Sequence, residues 1–161
     1  MFCYRITKYN PKYRNTEGAY LKSEWTSYSD IGKKFDDTIL TIDQYLLVEN
    51  AYITAIIVFM DCLNINILYV ADLEKNKKSR NNITHFLTLF DSLKNGLLLN
   101  KEQIKIVSSM ILRENLWCKL KTNNLYVHFG YDYYMYVESA RECTAAVQSI
   151  EESGLFVEPY E

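Results

Sequence analysis

Glycine and proline are scarce: five and two residues in a chain of 161. So few backbone breakers exclude a long flexible linker. No internal repeat or low-complexity run is present, which excludes solenoids and repeat arrays. The chain contains no GxSxG, no phosphate-cradling glycine loop and no HExxH. Those are the short motifs that announce acyl transfer, nucleotide binding and zinc proteolysis. The four cysteines, at 3, 62, 118 and 143, form no CxxC pair, and the two histidines, His85 and His128, lie far from them in sequence. Zinc sites need ligands clustered at short spacing, so no metal and no cofactor is expected. Residues 1–10 show neither a positive leader nor an apolar run. The greasiest stretch, 51–60, is about half the roughly 20 residues that a bilayer-spanning helix needs. These absences predict a cytoplasmic protein with no membrane span. Thiols stay reduced in that compartment, so all four cysteines are read as reduced and mostly as buried packing residues. Cys62 falls in an apolar helix pattern, and Cys143 heads an apolar stripe.

Tyrosine, by contrast, is abundant at 14 residues. Asparagine, isoleucine and lysine are abundant too, as an AT-rich coding sequence would give, so only the placement of the tyrosines can carry meaning. A hydrophobic share of 48% and a charged share of 24% are ordinary for one globular domain, here residues 1–161.

Periodicity outlines the elements. Residues 4–9 alternate as a strand, and Asn10-Pro11 turns the chain. Residues 24–35 read as a loop entering a short helical turn, with Ser29 as its cap and Asp30 near its positive end. Thr41 and Gln44 form a capping box that opens a central helix reaching about Leu63. That helix is apolar nearly all round in its second half, so it should be covered on most sides. Residues 67–70 read as a short strand and 71–82 as a polar loop, with a helix from about Asp72 as the alternative. A helix over 83–93 places Phe86, Leu87, Phe90 and Leu93 on one face, with Gly96 ending it. Asn100 and Gln103 cap the next helix, which turns Ile104, Val107, Ile111 and Leu112 inward and stops near Asn115. Residues 116–121 and 125–129 flank a polar turn as a hairpin, with a third strand over 133–137. Ser139 and Glu142 give a further capping box, ahead of the stripe Cys143, Ala146, Val147, Ile150. Gly154 closes that helix, and 155–157 add an edge strand ended by Pro159. The sum is an α+β fold, an antiparallel sheet with helices mainly on one face.

Candidate binding residues come from the stretch YVHFGYDYYMYVE, 126–138. Odd positions from 125 to 137 are mostly apolar and read as core. Even positions put Tyr126, His128, Asp132, Tyr134, Tyr136 and Glu138 on the other face. Tyrosines beside carboxylates suit protein recognition. His128 with Tyr126 and Asp132 could alternatively shuttle protons or line a small-molecule pocket. Charge placement adds to this. Residues 35–61 hold Asp36, Asp37, Asp43, Glu49 and Asp61 with no lysine or arginine. Residues 138–161 hold Glu138, Glu142, Glu151, Glu152, Glu158 and Glu161 against Arg141 alone. If the central and last helices lie side by side, their outer acids make one patch, so Glu151, Glu152 and Glu158 join the predicted partner-binding set. Direct nucleic-acid binding is not expected at a net charge of −2 and a pI near 5.8.

The stretches 4–15 (YRITKYNPKYRN), 25–32 (WTSYSDIG), 112–120 (LRENLWCKL) and 126–137 (YVHFGYDYYMYV) resemble small bacterial immunity proteins of polymorphic or contact-dependent inhibition toxin systems. The resemblance implies a cytoplasmic inhibitor without catalysis, whose partner is the C-terminal domain of a cognate toxin. Such proteins often set acidic surfaces against basic nuclease toxins, and the net charge here is mild for that role. A homo-oligomer that buries its apolar excess by self-association is a further alternative.

Overall fold

The computed structural model describes residues 1–160. Its centre is a seven-stranded sheet in which every neighbouring pair is antiparallel. In chain order the strands are β1 (Phe2–Thr7), β4 (Ile67–Lys75), β5 (Leu98–Asn100), β6 (Leu116–Lys121), β7 (Leu125–Phe129), β8 (Tyr134–Ser139) and β9 (Phe156–Pro159). Their spatial order is β5-β4-β6-β7-β8-β1-β9. A small separate hairpin pairs β2 (Lys34–Phe35) with β3 (Thr38–Ile39). The helices are α1 (Ile42–Cys62), α2 (Leu87–Ser92), α3 (Lys101–Leu112) and α4 (Thr144–Glu152). The fold is therefore α+β.

Capping explains where the two longest helices begin. The Thr41 hydroxyl accepts from the Gln44 N–H at 3.2 Å, and the Gln44 side chain accepts from the Thr41 N–H at 3.1 Å. Asn100 and Gln103 repeat the exchange at 2.9 and 3.0 Å. α1 is the one described helix with the length and hydropathy of a bilayer span, although its greasiest ten residues alone fall short of one. Here it is the core helix: Tyr45, Tyr52, Ala55, Ile56, Phe59 and Met60 are fully buried. α3 and α4 flank it.

Several local expectations are corrected. Ser27 caps the turn Tyr28–Asp30, and Asp30 closes the box by accepting from the Ser27 N–H at 3.2 Å; the turn starts too early for Ser29 to cap it. The stretch after Val70 is not a loop at first. β4 runs on to Lys75 because β6 supplies a ladder partner as far as Leu116, with a bulge where Asp72 takes φ 51°. Only Leu87–Ser92 is α-helical in the middle stretch, and Phe86 is exposed. Ser139 forms no capping box: it stays in β8, paired with Phe2 and Leu125, and its hydroxyl donates to the Arg141 carbonyl at 2.7 Å. α4 starts later, without a side-chain cap.

The cysteines are not all reduced. Cys62, ending α1, and Cys143, just before α4, form a disulfide across a sequence separation of 81, with Cα atoms 6.0 Å apart. Their two apolar patterns are neighbouring faces of adjoining helices, which single-chain spacing does not reveal. Cys118 is free and buried, and burial pushes its thiol up to about 12. Glu49, grouped with the acids of the central helix expected to form an outer patch, is 3% exposed and pairs with Arg113.

Candidate functional site

Register decides which side chains share the helix-free face. His128 pairs with Tyr136 and Tyr126 with Glu138, while β1 continues the ladder with Arg5 beside Tyr136 and Cys3 beside Glu138. On β1 the inward side chain Tyr4 meets Phe59 of α1 at 5.4 Å. Arg5, Tyr136, His128, Tyr126 and Glu138 therefore point the other way. Lys121 pairs with Tyr126, so alternation along β6 brings Trp117 and Lys119 to that face as well. The rings form a row across the strands. Trp117 meets His128 edge-on at 5.6 Å, His128 stacks on Tyr136 at 5.6 Å, and Tyr136 meets Tyr160 at 4.8 Å. The row floors a groove of about 610 Å³. Trp117 is anchored by its indole N–H, which donates to the Phe129 carbonyl at 2.7 Å. Gly130 packs closely here: a Cβ would meet the Tyr136 ring at 3.0 Å, so that ring would have to shift to admit a side chain.

Charges on this face nearly cancel. Lys119 bonds Asp72 at 2.7 Å, and Arg5 bonds Glu158 at 3.3 Å. Lys121 lies 5.6 Å over the Tyr69 ring. Burial, helped by Lys119, lowers the His128 pKa below its usual range, so the imidazole is neutral at pH 7. The neighbours of His128 are rings, and Asp132 belongs to the turn beyond β7. Among the described residues, no group of three or more His, Cys, Asp or Glu side chains could hold a metal ion.

Of the predicted residues, the structure brings Tyr126, His128, Tyr136 and Glu138 together. Tyr134 sits at the end of the sheet, packed on Tyr9 at 5.5 Å, with the Arg5 and Arg14 guanidiniums 5.8 and 5.9 Å from its ring. Glu158 is occupied by Arg14, at 2.7 and 2.8 Å, as well as by Arg5. Burial would raise its pKa, but the two guanidiniums outweigh that and hold it below the carboxylate range. Glu151 and Glu152 are exposed on α4, on the helical side of the sheet. α1 and α4 do lie side by side, but Glu49 and Asp61 are neutralised by Arg113 and Lys101. Glu161 lies outside the described residues.

Sequence reasoning missed Trp117, Lys119, Lys121, Tyr160 and Tyr131. The period-two pattern of LWCKLK already marked Trp117 and Lys119 as sharing a face; Tyr160 carried no signal. Tyr131, read as core by parity, is 93% exposed at the tip of the β7–β8 turn. Asp132 and Tyr133 there take φ 55° and 63°, a left-handed backbone that is uncommon for a bulky residue. Tyr133 is held in it from below. Its buried hydroxyl donates to the Leu112 carbonyl at 2.9 Å and lies 3.0 Å from the Tyr45 hydroxyl. Its carbonyl accepts from the Tyr52 hydroxyl. Tyr131 thus stands on a turn fixed by the core.

No protein-family model matches the chain, nor does any curated protein sequence or solved structure.

Proposed function

We propose that the chain is a stoichiometric immunity protein that captures and neutralises a toxin domain through the helix-free face of its sheet. The row Trp117–His128–Tyr136–Tyr160 over an open groove carries this reading. Large, rigid, amphipathic rings supply most of the energy of protein interfaces. The near balance of charge around the row favours a protein over a nucleic acid, which needs an uncompensated cationic surface. Neutralisation needs no reaction by this chain, and its place would be the cytoplasm of the cell it protects.

The test is co-expression with the variable C-terminal domain of a large secreted protein encoded beside it. The expected result is relief of growth arrest and a 1:1 complex. Tyr136→Ala with Glu138→Ala should lose at least about 2 kcal/mol of binding, roughly thirtyfold in Kd, as a central hot spot does. Unrelieved arrest, or a variant that binds as tightly as the parent, refutes the proposal.

A further inference from the structure

A second recess lies at the end of the sheet, enclosed by the β7–β8 turn, the end of α3 and the last residues of β4. Its volume is about 390 Å³, within the size range of pockets that seat a ligand group. Ile111, Leu112 and Leu116 give it an apolar lining, and Trp117 and Tyr131 stand at its sides. Three exposed carboxylates converge on it: Glu74, Glu114 and Asp132.

These three lack the ion pairs that neutralise other acids of the protein. Asp30, Asp61, Asp72 and Asp91 each have a lysine or arginine within 3 Å. Among the described residues, Glu74, Glu114 and Asp132 have no cation within salt-bridge distance; Glu114 only accepts from the Ser27 hydroxyl at 3.5 Å. Lys75 also lines the recess, but its ammonium is engaged elsewhere. It donates to the Asp91 carbonyl at 3.4 Å and lies 5.1 Å over the Phe90 ring.

An apolar recess with unneutralised carboxylates at its mouth complements one kind of group: a cation on a long apolar stem. Between the two such side chains, the surroundings select arginine. A guanidinium is weakly hydrated, stacks on aromatic faces and pairs with carboxylates in two directions at once. An ammonium keeps its water and gains less beside Trp117 and Tyr131. We propose that this recess seats an arginine side chain of the protein partner, with Tyr131 closing over it. The inference rests on the protein-binding reading above and adds the chemistry of the partner's anchor.

The experiment needs no toxin. N-acetyl-arginine N-methylamide is titrated into the full chain, and the methyl signals of Ile111, Leu112 and Leu116, which line this recess and not the Tyr136 groove, are followed by NMR. A probe this small should saturate with a Kd on the order of 1 mM. The citrulline analogue, equal in shape but neutral, should bind at least about tenfold more weakly, as should the lysine analogue. Glu114→Gln with Asp132→Asn should lose the arginine probe about tenfold. Both positions are exposed and asparagine tolerates the left-handed backbone at 132, so the fold persists. Glu74→Gln alone gives a smaller loss, and Tyr136→Ala leaves the probe bound. Absence of saturable shifts, equal binding of citrulline, or shifts confined to the Tyr136 groove would overturn the assignment. If the arginine probe seats as described while no toxin domain is neutralised, the recess stands and the immunity role falls.

Discussion

Glu49→Gln tests how the core is tied together. Glu49 is 3% exposed in the middle of α1, and it accepts from Arg113 Nε at 2.8 Å, Arg113 Nη2 at 2.7 Å and the Ser109 hydroxyl at 3.2 Å. Those bonds raise the Arg113 pKa further, so the guanidinium is charged at every accessible pH. Removing the carboxylate charge leaves that cation uncompensated. Breaking a buried pair costs about 3–5 kcal/mol. The Arg113 side chain is 32% exposed, so water recovers part of the loss and about 2–3 kcal/mol is expected. For a chain of this length, that lowers Tm by roughly 5–10 °C. Urea unfolding followed by circular dichroism should show a lower midpoint at unchanged slope. Glu49→Leu with Arg113→Met removes both charges and should regain at least about 1 kcal/mol over the single variant, a coupling that a double-mutant cycle isolates. A Glu49→Gln protein within about 0.5 kcal/mol of the parent would mean that the pair does not hold α1 to α3.

Three further perturbations probe other parts. Lys8 is buried over the Tyr9 and Trp25 rings at 4.1 and 4.0 Å, and burial lowers its pKa to about 8 against the pull of Glu24. The folded state therefore binds fewer protons than the unfolded state above about pH 8, and stability should rise from there toward the ordinary lysine value. Chemical unfolding from about pH 7 to 9.5, below tyrosine titration, should show that rise in the parent and not in Lys8→Met; equal slopes refute it. Tyr133→Phe strips the Leu112 carbonyl of its buried donor and should cost about 1–2 kcal/mol by thermal unfolding, whereas no loss would show that the hydroxyl is not needed. Reduction, or Cys62→Ser with Cys143→Ser, releases a loop spanning 81 positions, worth up to about 4.5 kcal/mol of chain entropy. Unfolding midpoints with and without reductant, alongside mass spectrometry of the alkylated chain, measure it, and four alkylatable thiols in the oxidised protein would contradict the bridge.

The α+β class, the two capping boxes and the odd-even division within 125–129 and 134–138 were legible because each depends on residues near one another in sequence; the alternation fails in the turn between, where Tyr131 is exposed. Thr41 and Gln44 need only one helical turn to meet. The long reach of β4 was not legible, since its polar residues 72–75 become strand only when β6 arrives beside them. The disulfide and the Glu49–Arg113 pair failed for the same reason: each joins residues more than sixty positions apart. The binding face was half legible. Tyr126, His128, Tyr136 and Glu138 could be placed by alternation within one hairpin, but Trp117 and Tyr160 enter the row from other strands through the sheet order. The tyrosine count divides likewise. Tyr9, Tyr45, Tyr52 and Tyr133 are core members whose hydroxyls find partners within the protein, and composition cannot separate them from those at the surface.

The bridge between Cys62 and Cys143 reaches the binding face through the chain that follows it. Cys143 leads directly into α4, α4 into β9, and β9 into Tyr160, whose N–H donates to the Cys3 carbonyl at 2.9 Å and whose ring completes the aromatic row. Oxidation thus moors the far bank of the groove to the central helix. Wherever that bridge is reduced the mooring is cast off, and the same surface must keep its shape on hydrogen bonds and packing alone.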